Sequence, residues 1–211
     1  MDNLEAIGER IRLYLQDKNK ARDEVLHKSR VLIRHCSRAI RAIHRDERHL
    51  AQEHLMEART LAEELRSVQE TYPDIYFAGY TRDALKEFAE ANIVYAILGN
   101  EPLPDPDELG VEVDSYLGGL GEAVGELRRR VLDVLRHDSV TEGEHLLDAM
   151  DDIYGYLVTV DFPDAITGHL RRITDMVRGV TERTRGDMTT SIQQRELRDA
   201  LRDVEKKLEQ K

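Results

Sequence analysis

A chain of 211 residues with 40% apolar and 35% charged side chains can bury a sizeable core while clothing helices in charge. It has no Trp and only 5% aromatic residues, an all-helical composition, and its net charge of −11 excludes a protein that coats nucleic acid by bulk charge alone. A single cysteine excludes an internal disulfide, and the absence of an apolar leader or a run of eighteen apolar residues predicts a reduced, soluble, cytoplasmic protein with no membrane partner.

Residues 4–43 carry helical periodicity throughout, as one long helix or two nearly continuous ones. Leu26, Leu32, Ile33, Cys36, Ala39, Ile40 and Ile43 form its apolar side. Cys36 lies within that side, where a structural thiol is expected rather than a nucleophile. Arg30, Arg34, Arg38, Arg41 and Arg45 recur at steps of four, four, three and four, a row along another face, with His44 beside it. Such a row is either a solvated face paired with local acids or a phosphate-contacting strip. The scarcity of acids between Ser29 and Arg45 in an otherwise acidic chain favours the strip.

A second helix covers 47–71, with Leu50, His54 or Leu55, Ala58, Leu61, Ala62 and Leu65 facing inward, and Pro73 closes it. After an aromatic connector at 74–80, a third helix spans 81–98, with Thr81 as its expected N-cap. Glu87 and Glu90 stand three residues apart on a face that continues as Val94 and Ile97. Carboxylates on a face that turns apolar need cations, hydrogen bonds or protonation.

The loop at 99–107 holds three of the five prolines. Beyond it a helix beginning near Glu108 or Glu112 runs to Arg136, with Val113, Leu117, Leu120, Val124, Leu127, Val131 and Val134 as its stripe. Gly118, Gly119, Gly121 and Gly125 interrupt this helix, each costing about 0.8–1 kcal/mol relative to alanine. The close approach of another backbone would offset that cost. Glu122 and Glu126 stand one turn apart on the opposite side from the stripe. Further helices are expected at 142–161 and from Asp164 onward, with a bend or break near Gly186 and a resumed period at Leu197, Leu201, Val204 and Leu208. That last segment could serve a partner subunit as readily as its own core. Nothing in the composition separates two domains, so one domain over residues 1–211 is expected.

The sequence has no phosphate-binding glycine loop, dinucleotide fingerprint or zinc-ligand spacing. Two Glu-x-x-His patterns, Glu24…His27 and Glu142…His145, would suit a di-iron bundle, but both fall in solvated stretches. The more coherent set is Glu87 and Glu90 facing Glu122 and Glu126. Four carboxylates in one place repel unless a divalent cation joins them, and oxygen-only donors favour Mg²⁺ or Mn²⁺ over Zn²⁺. Such a cluster beside a phosphate-binding strip reads as a nuclease.

These residues lie in segments that resemble the translin–TRAX family: SRAIRAIHR at Ser37–Arg45, ALKEFAEA at Ala84–Ala91, ELGVEVDSYLGGLGEAVGELRR at Glu108–Arg129 and TRGD at Thr184–Asp187. The resemblance implies an all-α subunit of about seven helices that assembles into a hollow, usually octameric, shell and binds single-stranded RNA or DNA. It also implies, for the TRAX-like branch, a Mg²⁺-dependent endoribonuclease site formed by acids matching Glu87, Glu90, Glu122 and Glu126. Where TRAX-type members place aspartate, this chain has Glu122, one methylene longer. The alternative is a translin-like binder of single-stranded nucleic acid without catalysis.

Overall fold

The computed structural model describes residues 3–137 and 139–209. Helices make up 85% of the structure, and no strand occurs among the described residues. Six long helices, α1 (Leu4–His44), α2 (Arg48–Arg66), α4 (Gly79–Leu98), α6 (Val113–Arg136), α7 (Val140–Thr159) and α9 (Leu170–Glu209), are joined partly by single turns. Those are α3 (Pro73–Tyr76), α5 (Pro106–Leu109) and α8 (Asp164–Thr167). The chain divides into two compact units, Met1–Gly119 and Leu120–Lys211, with the boundary inside α6.

In the first unit α1 is one unbroken helix of 41 residues. Its buried face is Val25, Ser29, Leu32, Cys36, Ala39, Ile40, Ala42 and Ile43, a three- and four-residue period that commits the C-terminal half to packing. The chain reverses at Arg45–Glu47, where Asp46 takes a left-handed φ of 58°, and α2 runs back along α1. Lys28 and Glu64 meet at 2.9 Å far from that turn, so the pairing is antiparallel. Ala51, Leu55, Ala58, Ala62 and Leu65 fill the contact, while Leu50 is 40% exposed: the inward stripe of α2 begins one residue later than its apolar letters suggest.

Thr81 does not cap α4. The helix starts two residues earlier at Gly79, and Thr81 is buried in its first turn with Oγ1 donating to the Ile75 carbonyl at 3.1 Å. The proline loop ends in a capping box: Pro106 occupies the first turn of α5, the Glu108 N–H donates to the Asp105 carboxylate, and the Asp105 N–H donates to the Glu108 side chain. Gly110 then takes φ 66°, and the Tyr116 hydroxyl donates to the Pro104 carbonyl at 2.9 Å. Together these separate α5 from α6, so the glycine-bearing helix starts at Val113, which is itself 63% exposed.

In the second unit α6 lies against α9, where Ile173 sits over Gly121, and Arg128 donates to Thr184 and Asp187 at 3.0 and 2.7 Å. Arg185 spans from α9 to both carboxylate oxygens of Asp151 on α7 at 2.7 Å. Helix α9 runs straight through Gly186 and the polar stretch after it, so the expected interruption is absent. The actual break is earlier, at Gly168 with φ 59°, which ends α8. Leu197, Leu201, Val204 and Leu208 are 53–67% exposed.

Candidate functional site

Helix α4 is apolar on most sides. It buries Ala84, Leu85, Phe88, Ala89, Ala91, Ile93, Val94 and Ala96, and among them Glu90, which is 8% exposed. Glu87, one turn earlier, is half-buried. A carboxylate in such surroundings loses hydration that something else must replace. Across from it on α1, Cys36 is fully buried, and its thiol is held well above the usual range, first by burial and then by the nearby charges of Glu87 and Glu90. That assigns Cys36 to structure, because a thiolate there would join two anions in a dry place.

The first turns of α6 cross α4 at very short range. A Cβ on Gly119 would stand 2.7 Å from the Glu90 backbone nitrogen and 2.8 Å from the Lys86 carbonyl oxygen. This contact exists only because residue 119 has no side chain. Gly118 faces the stem of Lys86, whose Cγ and Cδ would lie 3.0 Å from a Cβ placed there. Gly121 serves the second unit instead, under Ile173, and Gly125 faces open space, so the backbone-approach argument does not extend to it.

Glu122 is one turn beyond Gly119 on the same unbroken helix. One carboxylate oxygen from each of Glu87, Glu90 and Glu122 lies within 4.8 Å of the other two. Three anions so close are mutually repulsive, and the donor set, all carboxylate oxygen, suits a hard divalent cation. The three could therefore hold a metal ion. Glu126, another turn along, is outside this group of three, with its side chain 26% exposed and Arg129 at 3.5 Å.

The arginine row is equally definite. Arg30, Arg34, Arg38, Arg41 and Arg45 are all exposed along α1, on the side away from its packed face, and His44 is half-buried beside them. Elsewhere arginines meet acids: Arg12 with Glu9, Arg48 with Glu101, Arg82 with Asp114, Arg130 with Glu142 and Arg185 with Asp151. Among the described residues the five of the row have no such ion pair. The Glu-x-x-His patterns do not make a metal site: Glu24, His27, Glu142 and His145 are exposed, and Glu142 is taken by Arg130 at 3.0 Å.

Sequence reasoning passed over Lys86. The signal was available in its position, immediately before Glu87 and four residues before Glu90, but its seat on Gly118 needs the helix crossing. No helix among the described residues is long and apolar enough to cross a membrane.

No protein-family model matches the chain. It is 35% identical over 194 residues to the uncharacterized protein MJ0175 of Methanocaldococcus jannaschii, spanning 91% of this chain and 86% of that one. Among solved structures it is similar to AfC3PO, with 33% identity and a TM-score of 0.81 over 89% of this chain and 97% of that chain. The complex of AfC3PO with duplex RNA gives 32% identity and a TM-score of 0.82 over the same shares. Apo-NeC3PO, at 20% identity, shares the fold, with a TM-score of 0.80 over 87% and 96% of the two chains.

Proposed function

The chain belongs to the translin/TRAX family, and on that premise we propose that it is an RNA-binding, Mg²⁺-dependent endoribonuclease that works in the cytoplasm as a hollow homo-oligomer, an octamer. The observation that carries the reading is the carboxylate group of Glu87, Glu90 and Glu122, brought together where α6 has surrendered its side chains to approach α4. The duplex RNA bound by AfC3PO supports RNA as the ligand class. The preferred substrate in this reading is single-stranded RNA, as the family resemblance implies.

In this scheme Glu87, Glu90 and Glu122 hold Mg²⁺, with Mn²⁺ as a substitute, and Glu126, one turn beyond the closest three, is the fourth acid of the set. When bound, the ion supplies a more acidic water and neutralises charge on the leaving oxygen. The protein's own part is placement. Arg30, Arg34, Arg38, Arg41 and Arg45, with His44, contact phosphates and set the register of the strand without reading bases. Glu90, buried on rigid α4, fixes one corner of the ligand set, and Glu87 and Glu122 close it. Glu122 reaches one methylene further than the aspartate of TRAX-type members. A shift of about 1 Å can cost about 10²-fold in rate, so the helix crossing has to compensate for that length.

The test is incubation of labelled single-stranded and duplex RNA with the protein in Mg²⁺, in Mn²⁺ and in EDTA, beside a Glu87→Ala/Glu122→Ala variant. We expect metal-dependent cleavage of the single strand that falls at least about 10²-fold in the variant, with RNA retention on a native gel preserved. Undiminished cleavage by the variant would overturn the catalytic assignment. Retention without cleavage in every condition would leave a translin-like binder.

A further inference from the structure

The carboxylate group carries an unusual density of negative charge for a place with one acid 8% exposed, and Lys86, next to Glu87 in the chain, is seated in a specific way. Lys86 precedes Glu87 directly and lies one helical turn before Glu90, on the same face as Glu90. Its stem rests on Gly118, the residue that stands one turn before Glu122 on α6. The lysine is therefore flanked by Glu90 along its own helix, and its glycine seat is flanked by Glu122 along the other. It is half-buried, and Lys86, Glu87, Glu90 and Glu122 are each engaged in a polar or electrostatic interaction.

The glycine at 118 is what keeps this position available. A Cβ there would meet Lys86 Cγ and Cδ at 3.0 Å, tight enough to push the stem aside. Helix propensity opposes glycine at a buried mid-helix position, so the space it leaves for the lysine stem is the return on that cost. An ammonium on a flexible stem also fits this position chemically. It is a compact charge with three donors, able to pair with carboxylates and to withdraw when another cation arrives.

We propose that Lys86 is the built-in counter-cation of the Glu87–Glu90–Glu122 group: it neutralises the carboxylates in the metal-free protein and competes with the divalent ion for them. The second half rests on the metal-site reading above, while the first half does not. Lys86 is thus a positioning residue, which sets how tightly the site takes its ion and holds the carboxylates together until it does.

The experiment uses the full chain and four proteins: wild type, Lys86→Met, Glu90→Gln and the double variant. Methionine keeps the stem over Gly118 and removes only the charge. In EDTA, thermal unfolding of Lys86→Met should fall relative to wild type, and the same substitution made in the Glu90→Gln background should cost less than half as much. Equal losses in both backgrounds would overturn the pairing. Calorimetric titration with Mn²⁺ alone should give binding about tenfold tighter in Lys86→Met than in wild type, the loss of one repulsive charge. Unchanged or weaker Mn²⁺ binding would overturn the competition. If wild type takes up no Mn²⁺ while the thermal coupling is present, the counter-cation stands and the metal-site reading falls.

Discussion

Two glycines of α6 separate what a residue is for from what it merely permits. A methyl group at 119 would collide with the backbone nitrogen of Glu90 and the carbonyl of Lys86, neither of which can rotate away. Gly119→Ala should therefore destabilise by about 2–3 kcal/mol through overpacking, and should loosen the crossing that places Glu122. At 125 nothing lies within 4 Å of an added Cβ, so Gly125→Ala should stabilise by about 0.5–1 kcal/mol from helix propensity alone. Denaturant unfolding of both variants checks the pair of signs. The sequence alone made all four glycines look alike because a glycine letter records a missing side chain without saying which neighbour fills its place. The same limit explains Thr81, whose hydroxyl suits a cap but is spent on the Ile75 carbonyl inside the first turn.

At the scale of elements, the α1–α2 pairing has a titratable seam. His35 and His54 stack edge to face with centroids 5.4 Å apart. His35 is held below the ordinary histidine value by burial first and then by the charge of His54; Arg38 and Arg34 act in the same direction and Glu57 opposes them. A base whose folded pKa is depressed favours the folded state while it is neutral. As pH falls past the ordinary histidine value the unfolded chain takes up the proton first, and stability declines until the folded form is protonated too. The thermal midpoint should accordingly drop as pH falls through the ordinary histidine value and below it, and the drop should be shallower in His35→Gln. Most of this element scale was legible in advance. The apolar periods gave α1, α2, α4, α6 and α7 to within about five residues, because those periods are set by burial, whereas α9 begins at Leu170 rather than Asp164 and runs unbroken through Gly186. The single turns α3, α5 and α8 escaped notice, since four residues hold too little periodicity and depend on caps such as Asp105 and Gly168.

For the whole molecule, the contrast between 31 basic and 42 acidic residues means that attraction to a polyanion has to be local. If the row on α1 carries RNA, five phosphate contacts predict a slope of log affinity against log salt of about −3.5 for a single strand. Arg34→Ala/Arg41→Ala should reduce that slope by about 1.4, with little change in preference among sequences, because phosphates carry no base identity. Filter binding over a range of NaCl concentrations measures both. A slope near zero in the wild type would remove the row from the binding surface. The candidate site was visible in the sequence as four acids and five arginines with the right spacing. Which acids meet, and that Glu126 stands outside the closest three with Arg129 beside it, depends on the crossing of two helices separated by 14 residues of turn and loop.

The exposed stripe at the end of α9 has a consequence for how the protein melts. From Leu197 to Leu208 the apolar side chains find little cover within their own unit, so the helix there depends on intrinsic propensity. A charged segment of that length is close to its helix–coil midpoint in water at ordinary temperature. The helix is thus continuous in geometry but graded in cooperativity: a unit that melts as one around Val177, Thr184 and Met188 continues into a stretch that unwinds residue by residue, unless another surface closes over the stripe.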